Sequence, residues 1–254
     1  MNRFFIEIAF EGSNYHGWQI QKNAHTVQQE LNSALKKVFR SDVETLGAGR
    51  TDTGVHAKEF FAHFDLDKKI PVKTVHSLNS ILPHDIVVKK IFQVKKNAHA
   101  RFDATSRTYE YWMYKEKNPF LKGKACFHPL DADIAKMNAA ARILKETRDF
   151  SCFSKGRTDT KTNICKIVSA SWKVDGDKMI FSITADRFLR NMVRAIVGTL
   201  NEIGSGDITI SDFRRIIEGK SRSAAGESVP ACGLYLMKVS YDWKNILPDE
   251  MSSS

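Results

Sequence analysis

RFFIEIAF, residues 3–10, places Phe4, Ile6, Ile8 and Phe10 on one side of an extended segment, the period of two that predicts a strand with one buried face. A loop, EGSNYHGWQIQKNAH, follows. Thr26 with Gln29 three residues later has the pattern of a capping box, and Val27, Leu31, Ala34, Leu35 and Val38 then recur at helical spacing. Apolar runs at 43–47 and 57–66 predict strands. Val75, Leu78 and Leu82, closed by Pro83, predict a second helix, and DIVVKKIFQV a further strand. The order is βαββαβ.

The second half repeats this order. RTYEYWMY (107–114) is strand-like, and Ile134, Met137, Ala141 and Leu144 mark a helix. NICKIVSASWKV and KMIFSITA flank Asp175, Gly176 and Asp177, a hairpin signal. A long helix over 187–203, a short one opened by Ser211 and closed near Gly219, and a last strand, GLYLMKVS, complete the pattern. The predicted fold is α+β: two ferredoxin-like βαββαβ units, each with a largely antiparallel sheet, and a cleft between them. The expected domains are residues 1–100 and 101–246, with 247–254 a flexible tail.

Composition narrows the classes. With 254 residues and 42% hydrophobic content the chain can bury a substantial core and is not disordered. The longest apolar runs, such as FFIEIAF, are broken by charge, so no membrane span or export signal is expected and the cytoplasm is the expected location. Cys126, Cys152, Cys165 and Cys232 lie far apart without a C-x-x-C pair and read as reduced thiols. Against 29 Asp and Glu stand 39 Lys and Arg, a formal net charge of +10. That excess fits a polyanionic partner and equally an ordinary solvated basic surface.

The most unusual stretch is GAGRTDTGVHA, Gly47 to Ala57. It joins two predicted strands through a glycine-rich bend. A dinucleotide loop is excluded, because Asp52 replaces the third glycine and a strand rather than a helix follows. Asp52 could cap neighbouring amides or serve as a catalytic carboxylate; composition alone leaves both open. His56 and His63, or His76 and His84, lack partners at metal-ligand spacing, so no metal is expected.

G-R-T-D-x-G-V-H-A resembles the signature of the TruA family of tRNA pseudouridine synthases. YHGWQ (15–19), TVQQEL, LPHDI (82–86), HARFDATSRTYEY (99–111), MVRAIVG (192–198) and GLYL (233–236) match further family segments in order, over nearly the whole chain. Thr53 departs from the alanine that many members carry, which bears on local packing beside the aspartate. The resemblance implies isomerisation of uridine to pseudouridine at positions 38, 39 and 40 of the tRNA anticodon stem-loop, no cofactor, and a homodimer. It makes Asp52 the catalytic carboxylate, Tyr109 the aromatic contact to the target base, and Arg194 the basic partner of Asp52. Arg50 either touches RNA or steadies the loop.

The chemistry is consistent with those roles. Breaking the bond from C1′ to N1 leaves the sugar carbon electron-poor, and an ionised carboxylate can stabilise it or bond to it. A dry site disfavours the carboxylate anion, and a guanidinium restores it. On spacing alone, Arg187, Arg190 and Arg194 form one stripe of the predicted helix, which suits a solvated face as well as a site. Tyr109 could be core, could stack on uracil, or could move a proton at C5. Rival readings are a non-catalytic RNA-binding protein and a base-modifying transferase that needs a donor.

Overall fold

β1 (Asn2–Phe10) pairs antiparallel with β3 (His56–Leu66) on one side and with β4 (Ile86–Val94) on the other, Phe5 standing opposite His63 and Phe92. A computed structural model describes residues 1–129, 131–155 and 162–249. Between these strands run α1 (Val27–Phe39), the two-residue β2 (Leu46–Gly47) paired to β3, and α2 (Thr74–Asn79). Thr26 caps α1 by accepting from the Gln29 amide at 3.4 Å.

The predicted one-sided burial of β1 is corrected. Phe5, Ile6 and Ile8 are all fully buried and Glu7 nearly so. The second face is covered by β9 (Leu234–Tyr241) and α6 (Trp243–Ile246): Phe5 meets the Tyr241 ring at 5.5 Å and the Trp243 ring at 6.4 Å. The buried Glu7 carboxylate is answered by Lys90 at 3.0 Å and Lys89 at 3.4 Å, the pairing that makes a buried charge tolerable.

By its contacts the chain divides into two compact units, residues 1–105 with 236–254, and residues 106–235. In the first unit the strand order is β4-β1-β3-β9. Chain order groups the last strand with the second half; its packing groups Leu236–Tyr241 with the first. Of the tail predicted to fray, Leu247 donates its amide to Trp243 O at 2.9 Å and Asp249 pairs with Lys95 at 3.0 Å, whereas residues 250–254 lie outside the described residues.

The second unit carries β5 (Ala104–Tyr114), β8 (Lys178–Ala185) and β7 (Ile167–Asp175) in that sheet order, antiparallel, with β6 (Cys126–Phe127) parallel to β5. Gly176, at φ +56°, turns the β7–β8 hairpin, the conformation its missing Cβ permits. α3 (Ile134–Glu146) is pinned to β7 by Asn138, whose amide exchanges two hydrogen bonds with the Trp172 backbone at 2.8 and 3.1 Å. α4 (Met192–Ser205) and α5 (Ile210–Gly219) complete it.

Two helix starts differ from the periodicity. α4 begins five residues later than 187, because Asn191 sits in the left-handed region at φ +65° and cannot continue a helix backwards. α5 is capped by Thr209 rather than opened by Ser211, through a reciprocal capping box with Asp212. Cys126, Cys152 and Cys165 are buried, and none of the four cysteines forms a disulfide.

Candidate active site

The loop between β2 and β3 carries Arg50, Thr51 and Asp52. Its backbone is pressed against the segment Gly12–Trp18, and two glycines make that approach possible. A Cβ on Gly12 would lie 2.0 Å from Val55 O, and one on Gly17, which is also at φ +84°, 2.1 Å from Thr51 O. The two segments are then stitched together. The Gly54 amide donates to Tyr15 O at 3.3 Å and the Gly12 amide to His56 Nδ1 at 3.1 Å, while within the loop the Val55 amide donates to Asp52 O at 3.2 Å.

The motifs YHGWQ and LPHDI are the scaffold of this loop. Trp18 packs on Phe60 of β3 with ring centroids 4.4 Å apart. Tyr15 donates its phenol to Asp85 Oδ1 at 2.5 Å, and Asn14 donates to Asp85 Oδ2 at 3.1 Å. Burial first, and then this bond, push the Tyr15 phenol above its ordinary range, so it remains a donor throughout neutral pH. Gln28, in the first turn of α1, accepts from the Ile20 amide and donates to Thr45 O. Asp52 is therefore half-buried on a braced loop, while Arg50 is exposed. The Thr51 hydroxyl beside it is buried and, among the described residues, has no hydrogen-bond partner.

Tyr109 and Arg194 belong to the second unit. Tyr109 is half-buried on β5, opposite Ile183 of β8, and meets Phe188 edge to face at 5.1 Å. Of its strand neighbours, Tyr111, Met113 and Tyr114 are core, so both faces of this end of β5 are buried. Arg194 is in the first turn of α4. Its Nε donates to Val229 O at 2.7 Å, and the Val229 amide donates back to Arg194 O at 3.3 Å. Gly198 one turn on lets the same segment approach, since a Cβ there would lie 1.8 Å from Glu227 O. The three-arginine stripe is corrected: Arg187 and Arg190 precede the helix and do not share a helical face with Arg194.

So Arg50 and Asp52 share one loop of the first unit, and Tyr109 reaches Phe188, in the turn that leads into α4 and Arg194. Reading the sequence missed Gly12, Gly17, Tyr15 and Asp85 as the loop's supports; the glycine spacing within EGSNYHG was the available signal. Among the described residues, no group of three or more His, Cys, Asp or Glu is arranged to hold a metal ion, and no helix is long and apolar enough to cross a membrane.

Comparison with known proteins bears on which family this chain is similar to. A family model described as tRNA pseudouridine synthase matches residues 7–103 and 140–242. The tRNA pseudouridine synthase A of Porphyromonas gingivalis is 50% identical over 246 residues, covering 95% of this chain and 98% of its own. That of Bacteroides thetaiotaomicron is 50% identical over 258 residues, covering 100% and 96%. That of Anoxybacillus flavithermus is 39% identical over 245 residues, covering 95% and 100%.

Proposed function

The chain belongs to the tRNA pseudouridine synthase family, isomerases that act on tRNA, and on that premise we propose that it converts uridines 38, 39 and 40 of the anticodon stem-loop to pseudouridine with Asp52 as the catalytic carboxylate. The observation that carries this reading is the bracing of the Asp52 loop, whose backbone lies against Gly12 and Gly17 more closely than any other residue would permit. Such packing fixes a functional group at small entropic cost, the requirement for acting on one carbon of a bound sugar.

In the proposed reaction the target uridine leaves the base stack so that its ribose can reach Asp52. The bond from C1′ to N1 breaks as the carboxylate stabilises or captures the electron-poor carbon. The uracil turns, C5 bonds to C1′, and the proton displaced from C5 is lost while N1 regains one. Arg194 is proposed to keep the carboxylate ionised, Tyr109 to stack on the uracil, and Arg50 to hold a flanking phosphate. The segments 1–100 and 101–246 are proposed as two ferredoxin-like βαββαβ repeats, the last strand of the second completing the sheet of the first, with the catalytic cleft between them, and the working form is proposed to be a cytoplasmic homodimer.

The test uses tRNA carrying tritium at uracil C5, with no added donor. Wild type releases tritium; Asp52→Ala loses release by roughly 10³-fold or more while keeping tRNA binding. Unchanged release from Asp52→Ala ends the assignment of Asp52. Release that requires a donor molecule ends the isomerase reading.

A further inference from the structure

The segment HARFDA, distinctive in sequence and not used by the chemistry above, forms a ledge at the other end of β3. All five backbone amides from His99 to Asp103 donate hydrogen bonds. His99 N reaches Asp103 Oδ2 at 2.7 Å, and Ala100 N reaches His63 Nδ1 at 3.2 Å. Arg101 N and Phe102 N converge on His99 Nδ1 at 3.1 and 3.4 Å, and Asp103 N reaches His99 O at 3.1 Å. Two carbonyls are held as well, that of Ala98 by Arg3 at 3.0 Å and that of Ala100 by the Tyr241 phenol at 2.6 Å.

A loop satisfied in this way, through the His99 and Asp103 side chains, does not need the Phe102 ring to fold, yet it projects that ring, 73% exposed. The ring is backed by the His99 imidazole, centroids 4.2 Å apart, and the Arg101 guanidinium lies 5.7 Å from its centroid. His99 is in turn stacked edge-on against buried His63 at 4.5 Å. An aromatic face flanked by a guanidinium on a pre-ordered backbone is the arrangement that holds an unpaired nucleobase, with the cation serving the adjoining phosphate.

We propose that Phe102 and Arg101 form a second base-stacking contact for the RNA, separate from the reacting uridine. This rests on the isomerase reading for the identity of the RNA. The two loops are anchored to β3 at His56 and His63, seven residues or roughly 23 Å of extended strand apart. A base on Phe102 is therefore a different nucleotide from the one Asp52 meets, and the ledge sets register along the substrate.

The test measures tRNA affinity and tritium-release kinetics for Phe102→Ala, Phe102→Leu and Phe102→Trp, with binding repeated in the Asp52→Ala background. Both Ala and Leu raise Kd and KM by roughly tenfold while kcat at saturating tRNA changes less than twofold. Trp restores affinity, and its fluorescence is quenched when tRNA is added. Wild-type affinity in the Leu variant overturns the proposal, because apolar bulk would then suffice. Unquenched Trp, or a change in sedimentation with no change in RNA affinity, also overturns it, the latter assigning the ring to a protein contact. Failure of the isomerase reading looks different: no tritium release from wild type, whatever Phe102 does to binding.

Discussion

Two histidines of one strand, His56 and His63, are both 2% exposed and both accept a backbone amide through Nδ1, yet they hold loops of opposite character. His56 takes the amide of Gly12 with the Glu11 carboxylate 3.2 Å away, and the loop beside it is fixed by backbone-to-backbone closeness that excludes side chains. His63 takes the amide of Ala100 among cationic and aromatic neighbours, and its loop is fixed by hydrogen bonds that leave two large side chains projecting. The first arrangement suits a small reacting group held at one place. The second suits a broad surface that a planar partner can lie on.

The largest way to break this contrast is Gly17→Ala. The new methyl meets the Thr51 carbonyl, a backbone atom that cannot swing aside, at a residue already in the left-handed region. We expect a loss of roughly 3 to 5 kcal/mol in urea unfolding. In whatever fraction folds, turnover should fall much more than tRNA affinity, since the Phe102 ledge is untouched.

Acid should strike the other end of β3. Burial first, then repulsion from His99 when it is protonated and from Arg3, outweighs the attraction of Asp65 and Asp103 and lowers the His63 pKa to about 4. The folded value lies below the unfolded one, so this stabilisation is complete above the ordinary histidine range and is lost as pH falls from about 6.5 toward 4. A proton on Nδ1 would also face the Ala100 amide it now accepts from. Urea unfolding at pH 7.5 and 4.5 should show a loss of roughly 2.5 kcal/mol that is absent in His63→Gln; equal acid losses in the two proteins would refute this.

Tyr15→Phe is a milder probe of the Asp52 side. It removes the bond to Asp85 while keeping the ring, and should cost about 2 kcal/mol, with turnover reduced more than binding. Smallest in stability is Phe102→Ala, whose ring is mostly in solvent; the midpoint of urea unfolding should move by less than about 0.5 kcal/mol even as RNA affinity drops.

Much of the first sheet was legible because its strands keep apolar runs and α1 announces itself with Thr26 and a 3.6 period. The burial of Phe5 was not, since Tyr241 and Trp243, which cover it, lie more than two hundred residues away in sequence. The start of α4 was missed because periodicity registers side chains and not the positive φ of Asn191. At the site, Asp52 was singled out by the glycines around it and by resemblance. Its supports Gly12 and Gly17 were not, because a glycine in a polar loop reads the same whether it faces water or another backbone. Phe102 stood in a quoted motif, but alternation says nothing of a ring at a strand's threshold.

The pairing of β9 with β3 has a consequence for how this protein is made. On a ribosome the amino-terminal sheet emerges early, but the strand and the two aromatic rings that cover its far face follow only after residues 106–235 have been made. Until then β3 lacks its β9 neighbour and Phe5 and Phe61 lack their cover. The loop that carries Asp52 thus hangs from a platform completed only after the second unit has been made, and a product cut short before β9 carries Asp52 without the assembled sheet that steadies it.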